Sequence, residues 1–101
     1  MSEPLVLQGP EGSITLPPGA LTQLVVTAAE SVGGARVRRP KRTVQLDHGG
    51  GSATVSLGLS VARGASLPNV ARDVQERVAA AVSSTCGLDV EAVNVLVEAV
   101  A

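Results

Sequence analysis

At 101 residues the chain is long enough for one hydrophobic core and too short for two, so a single domain is expected. Its apolar residues make up 45% of the chain but include no Phe, Tyr or Trp, which makes the core aliphatic and leaves no aromatic platform for stacking the bases of single-stranded nucleic acid. A formal net charge of −1 gives no global field to draw in nucleic acid or a membrane, and a single cysteine excludes an internal disulfide, which favours a reducing, cytoplasmic setting.

Residues 1–11 contain Pro4, Gly9 and Pro10 without a sustained period and read as a loosely ordered arm ahead of one α+β domain over 12–101. They lack the basic and apolar regions of a signal peptide, and no stretch reaches the roughly 18 apolar residues of a membrane-spanning helix. Gly12 to Leu16 reads as a short strand, stopped by Pro17-Pro18-Gly19. Residues 20–32 place Leu21, Leu24, Val25, Ala28 and Val32 at helical spacing, with Gly33-Gly34 as the stop. The next stretch is the most basic: Arg36, Arg38, Arg39, Lys41 and Arg42 are five of the eight cations. Pro40 in their midst predicts an edge strand in two pieces, around Val37 and over 43–47.

Gly49-Gly50-Gly51 predicts a hairpin into a strand over 52–62, where Ala53, Val55, Leu57, Leu59 and Val61 alternate with Thr54, Ser56, Gly58 and Ser60. Ser66 is placed to cap a second helix and Pro68 to begin it. Leu67, Ala71, Val74, Val78, Val82 and Cys86 form its apolar face, and Gly87 ends it. The period then falls to two, with Val93, Val95 and Val97 opposite Asn94, Leu96 and Glu98. The order βαββαβ predicts a two-layer α+β sandwich of ferredoxin-like topology, both helices on one face of an antiparallel sheet.

Nothing in this pattern spells out catalysis. His48, the only histidine, has no second ligand at metal spacing and reads as an exposed turn residue. Cys86 lies on an apolar stripe at a helix C-terminus, where a thiolate is disfavoured, and reads as structural. The nine carboxylates form no spaced acid/base or metal motif, and Asp73 and Arg77 read as an exposed ion pair one helical turn apart. The triple glycine lacks the Lys-Ser/Thr and the helix of a phosphate loop. A KH-like reading fails because these glycines join two strands and do not link two helices. No catalytic residue, metal ligand or cofactor site is therefore expected. Arg36, Arg38, Arg39, Lys41 and Arg42 stand out as a contact for anionic lipid head groups, an acidic partner or nucleic acid, with edge protection as the plainer role. Leu96 on the otherwise polar face of the last strand, beside small residues, points to self-association.

The C-terminal third carries a further signal. Pro68, Val70, Val74, Gln75 and Val78, then Gly87, Leu88 and Val90, then Val93, Asn94, Val95 and Val97 resemble the C-terminal signature of the alkaline shock protein family of bacterial envelope stress response proteins. The segment from Gly12 to Ala35 resembles that family's N-terminal strand, alanine-rich helix and glycine turn. The resemblance implies a non-enzymatic cytoplasmic scaffold or adaptor in envelope stress or homeostasis. Such a protein would work through protein partners, including a membrane-anchored one, at the inner face of the cell membrane. Two alternatives stay open: a nucleic-acid-binding module using the basic 36–42 segment, and a small-ligand binding protein.

Overall fold

The computed structural model describes residues 4–100, apart from the side chain of Lys41. In chain order the elements are β1 (Leu5–Gly9), β2 (Gly12–Leu16), α1 (Pro18–Glu30), β3 (Ala35–Val37), α2 (Pro40–Thr43), β4 (Gln45–Gly49), β5 (Ser52–Val61), α3 (Leu67–Cys86) and β6 (Asp89–Val100).

The main sheet is organised around β5, the strand with the cleanest alternation. β6 runs parallel to it along its whole length, from Ser52 opposite Asp89 to Val61 opposite Val100. The other edge of β5 is shared by two antiparallel pieces, β4 against Ser52 to Ser56 and β3 against Leu59 to Val61. The Gly49-to-Ser52 connection is a two-residue turn with both Gly50 (φ 59°) and Gly51 (φ 84°) in the left-handed region, the geometry that matches the twist of a hairpin. Expected as antiparallel, the sheet is mixed. A 20-residue helix between β5 and β6 carries the chain back to the end where β5 began, so the second strand must run the same way.

Both helices lie on one face. Leu21, Val25 and Ala29 of α1 and Val70, Val74, Val78, Val82 and Cys86 of α3 are buried in one cluster with Ala53, Val55, Leu57, Leu59 and Val61 of β5. The α3 stripe advances by four residues at each step. That brings in Val70 and leaves Leu67, expected on the apolar face, 40% exposed. Gly87 takes the left-handed stop at φ 69° and its N–H donates to the Ser83 carbonyl at 2.9 Å, as the sequence predicts. Ser66 occupies the cap position without a side-chain bond. Pro68 at the second helical position removes one of the two N–H groups that a cap oxygen accepts from, leaving only that of Asn69, which Ser66 does not engage. Arg77 departs from the expected pairing with Asp73 and donates to Ser31 Oγ at 3.2 Å, tying α3 to the end of α1.

The N-terminal boundary shifts. Gly12–Leu16 was expected in the domain and the preceding residues in an arm. Instead β1 and β2 pair with each other, Leu5 opposite Leu16 and Leu7 opposite Ile14, as a two-stranded sheet separate from the main one. Alternation places Leu5, Leu7, Ile14 and Leu16 on one side of this ribbon; Leu5 is buried against the domain, while Ile14 is 63% exposed. A five-residue partner within its own hairpin is closer in sequence than any strand of the main sheet, and it takes the pairing.

Candidate interaction surface

The edge opposite β6 is interrupted where the sequence is most basic. Seven residues, 38–44, stand opposite only Leu57 and Gly58 of β5, so the surplus must leave the sheet. Proline explains where it leaves. Pro40 has no N–H to donate to a ladder and its ring pushes the preceding residue out of the helical region, and Arg39 sits at φ 50°, the one described non-glycine residue with positive φ. The chain then makes one helical turn, α2, closed by Thr43 N–H and Val44 N–H donating to the Arg39 and Pro40 carbonyls. Thr43 Oγ1 donates to the Arg38 carbonyl at 2.9 Å and also lies 3.2 Å from that of Arg39, which ties the turn to its own start. Buried Val37 and Val44 fasten either end to the core.

The five predicted contact residues are therefore divided. Arg36 lies on β3, opposite Ser60, on the side of the sheet away from the helices; it and Arg38 line a groove of about 530 Å³ with Gly34, Ala62 and Ser60. Arg39 and Arg42 instead line a groove of about 720 Å³ against Gly19, Thr22 and Gln23 at the start of α1. Arg36, Arg38, Arg39 and Arg42 are all exposed; the Lys41 side chain lies outside the described residues. The α1 wall of the second groove was not legible in the sequence, because nothing in residues 19–23 signals proximity to residues twenty positions later.

A second surface lies on the sheet face that no helix covers. Thr54, Ser56, Gly58 and Ser60 of β5 form a floor of small residues, with Leu96 of β6 beside Gly58 and 66% exposed. A depression of about 360 Å³ here reaches from Arg42, Thr43 and Gln45 on one side to Asn94, Leu96 and Glu98 on the other. Glu98 is the extra residue of a β-bulge between the Leu59–Val97 and Ser60–Ala99 pairs. The bulge lets its side chain fold over Gly58, where a Cβ would collide with the Glu98 carboxylate. On the outer edge of β6, Gln75 Nε2 donates to the Val93 carbonyl at 3.0 Å.

His48 lies inside β4 opposite Ala53 and is half-buried; the strand runs on to Gly49, which moves this residue out of the turn where it was expected. Cys86 is buried at the end of the α3 stripe, and burial pushes its thiol pKa up from the ordinary value. Among the described residues no group of three or more His, Cys, Asp or Glu side chains gathers in a way that would hold a metal ion. No described helix is long and apolar enough to cross a membrane.

Residues 22–101, which run from α1 through the basic turn and the bulged β6, match the sequence profile of a family described by its cell envelope-related function. The chain belongs to the alkaline shock protein family. No curated protein matches it. Among solved structures, variants of the MamM CTD share its fold. One covers 80% of this chain and 95% of its own at 26% identity and TM-score 0.55. A copper form gives the same coverages and identity at TM-score 0.54, and a manganese form is 24% identical over 80% of this chain and 96% of that one, also at TM-score 0.54. These likenesses agree with a two-layer α+β fold like that of the ferredoxin-like MamM CTD, while the strand order differs from the expected βαββαβ sheet in that β2 pairs with β1 outside it. The copper and manganese are features of those proteins. In this member of the alkaline shock protein family, the surfaces that stand out are the cationic turn and the helix-free sheet face.

Proposed function

We propose that this protein is a non-enzymatic scaffold or adaptor in cell-envelope homeostasis, self-associating and held at the inner face of the cell membrane by protein partners and by its basic turn. The observation that carries this reading is the expulsion of residues 38–44 from the sheet. Charges needed only to protect an edge strand have no reason to leave it, whereas this loop lifts Arg38, Arg39 and Arg42 clear on a turn with its own hydrogen bonds. The family's envelope-related function supports placing the opposing surface at the membrane. At roughly 1 kcal/mol per cation near an anionic surface, the five residues Arg36, Arg38, Arg39, Lys41 and Arg42 supply weak, salt-sensitive attachment, which a protein partner and repeated copies reinforce. Such attachment is reversible, as a stress-responsive scaffold requires.

The test is replacement of all five by Gln, followed by fractionation of cells at low and moderate salt. The substituted protein is expected to fold as the parent does and to leave the envelope fraction. Unchanged fractionation at both salt levels reduces the run to edge protection.

A further inference from the structure

The β1–β2 ribbon is out of balance with its surroundings. A two-stranded ribbon alone in water is marginal at best, and this one joins no other strand. Its apolar side begins under the domain at Leu5 and continues outward through Leu7 and Leu16, both half-buried, to Ile14, which is uncovered. The molecule is correspondingly long, 49 × 21 × 18 Å, with a Cα radius of gyration of 13.7 Å against about 12.7 Å for a compact chain of this length. Its accessible surface of 5972 Å² exceeds by about 700 Å² the roughly 5,300 Å² expected of a compact monomer of its mass. That surplus is close to the ~800 Å² each partner contributes to a stable interface.

We propose that the ribbon is an exchange arm whose occupant site is the helix-free sheet face of a second copy of this chain, Ile14 of one copy seating beside Leu96 of the next. The inference rests on the self-association reading and specifies its geometry. Size fits: five-residue strands span about 17 Å, and the floor from Thr54 to Ser60 runs about 20 Å. Thr54 and Ser56 are half-buried and allow close approach, whereas Gly58 and Ser60 are buried, so Glu98, which lies exposed over Gly58, must swing aside for the ribbon to reach that end of the floor. The charges are mixed on the receiving face: Arg36 and Arg42 border it, as do Asp47, which stands opposite Thr54, and Glu98 over Gly58. The only ionisable side chain on the ribbon is Glu11 at its turn, and it is received on the arginine side, away from Asp47. Because ribbon and face are different surfaces, the contact is heterologous, and copies joined this way propagate into rings or filaments unless the rotation closes at two.

The experiment uses the full chain in two single-substitution forms, Ile14→Cys and Leu96→Cys, one of them carrying a mass tag. Each is oxidised with glutathione disulfide alone and in an equimolar mixture, alongside the parent, whose buried Cys86 sets the background. The expected result is a mixed Ile14→Cys to Leu96→Cys product at least tenfold above either self-linked product. Self-linking of Leu96→Cys alone means that two sheet faces meet, and self-linking of Ile14→Cys alone means that two ribbons meet; either overturns the inference. Absence of any link while the parent remains oligomeric by light scattering overturns it too and leaves self-association standing. A parent that is monomeric at every concentration overturns both.

Discussion

Val74 offers the sharpest check on the packing of α3. It is fully buried at the middle of the stripe Val70, Val74, Val78, Val82, facing the apolar side of β5. Truncation to Ala removes two methyl groups and leaves a small cavity, a loss of about 2 kcal/mol that does not depend on pH. Val74→Asp adds a carboxyl group that must be protonated to stay inside. With an ordinary pKa near 3.9, holding that proton at pH 7 costs about 4 kcal/mol, so the total of about 6 kcal/mol is on the scale of a small domain's entire stability. The sign follows from the raised pKa of the buried acid: the extra penalty is absent below the unfolded pKa and grows as pH rises above it. Urea unfolding followed by far-ultraviolet circular dichroism, at pH 7 and pH 4, measures both variants against the parent. Val74→Asp is expected to be unfolded or nearly so at pH 7 and to approach Val74→Ala at pH 4. If the two variants differ by under 1 kcal/mol at pH 7, or if their gap does not shrink on acidification, residue 74 is not where the stripe places it.

The ends of α3 respond unequally to substitution. Ser66→Ala is expected to change stability by no more than about 0.5 kcal/mol, since no side-chain cap bond is lost, whereas Gly87→Ala costs about 1 kcal/mol because the left-handed backbone disfavours a Cβ although the space around it is open; thermal melts of the two variants compare them directly. Cys86 keeps its proton more tightly folded than unfolded, so its contribution to stability is complete below the unfolded thiol's pKa and declines as pH rises through the folded one. Denaturant titrations from pH 7.5 to 10 are expected to show that decline, and a Cys86→Ser variant to lack it. A thiol reagent is expected to modify Cys86 only as fast as the chain opens.

Those features that depend on neighbours in sequence were legible in it. Alternation through Val55, Leu57 and Leu59 fixes the buried face of β5, Gly50 and Gly51 fix the hairpin, and Pro40 fixes the interruption of the edge strand. Features that depend on a choice among distant partners were less accessible. Ile14 and Leu16 have the alternation of a strand, and nothing in that alternation says whether it pairs with residues seven and eleven positions back or joins the main sheet. The parallel run of β6 follows from the length of α3, which periodicity reveals, but the bulges that turn Glu98 over Gly58 follow from a mismatch in strand advance that no local pattern records. Of the proposed interaction surface, the cations are visible in the sequence, and the fold decides that the described ones divide between two grooves.

The fastening of the basic turn at Val37 and Val44 separates two kinds of change that usually travel together. An insertion, a deletion or a reversal of charge among the six residues between them leaves every ladder bond of β3 and β4 with β5 where it was. What such a change must supply is a new closure for the loop, in place of the one Thr43 provides. The frame can therefore be inherited unchanged while the turn is rewritten, and a designer wishing to graft a different sequence onto this domain has a six-residue cassette in which to do it.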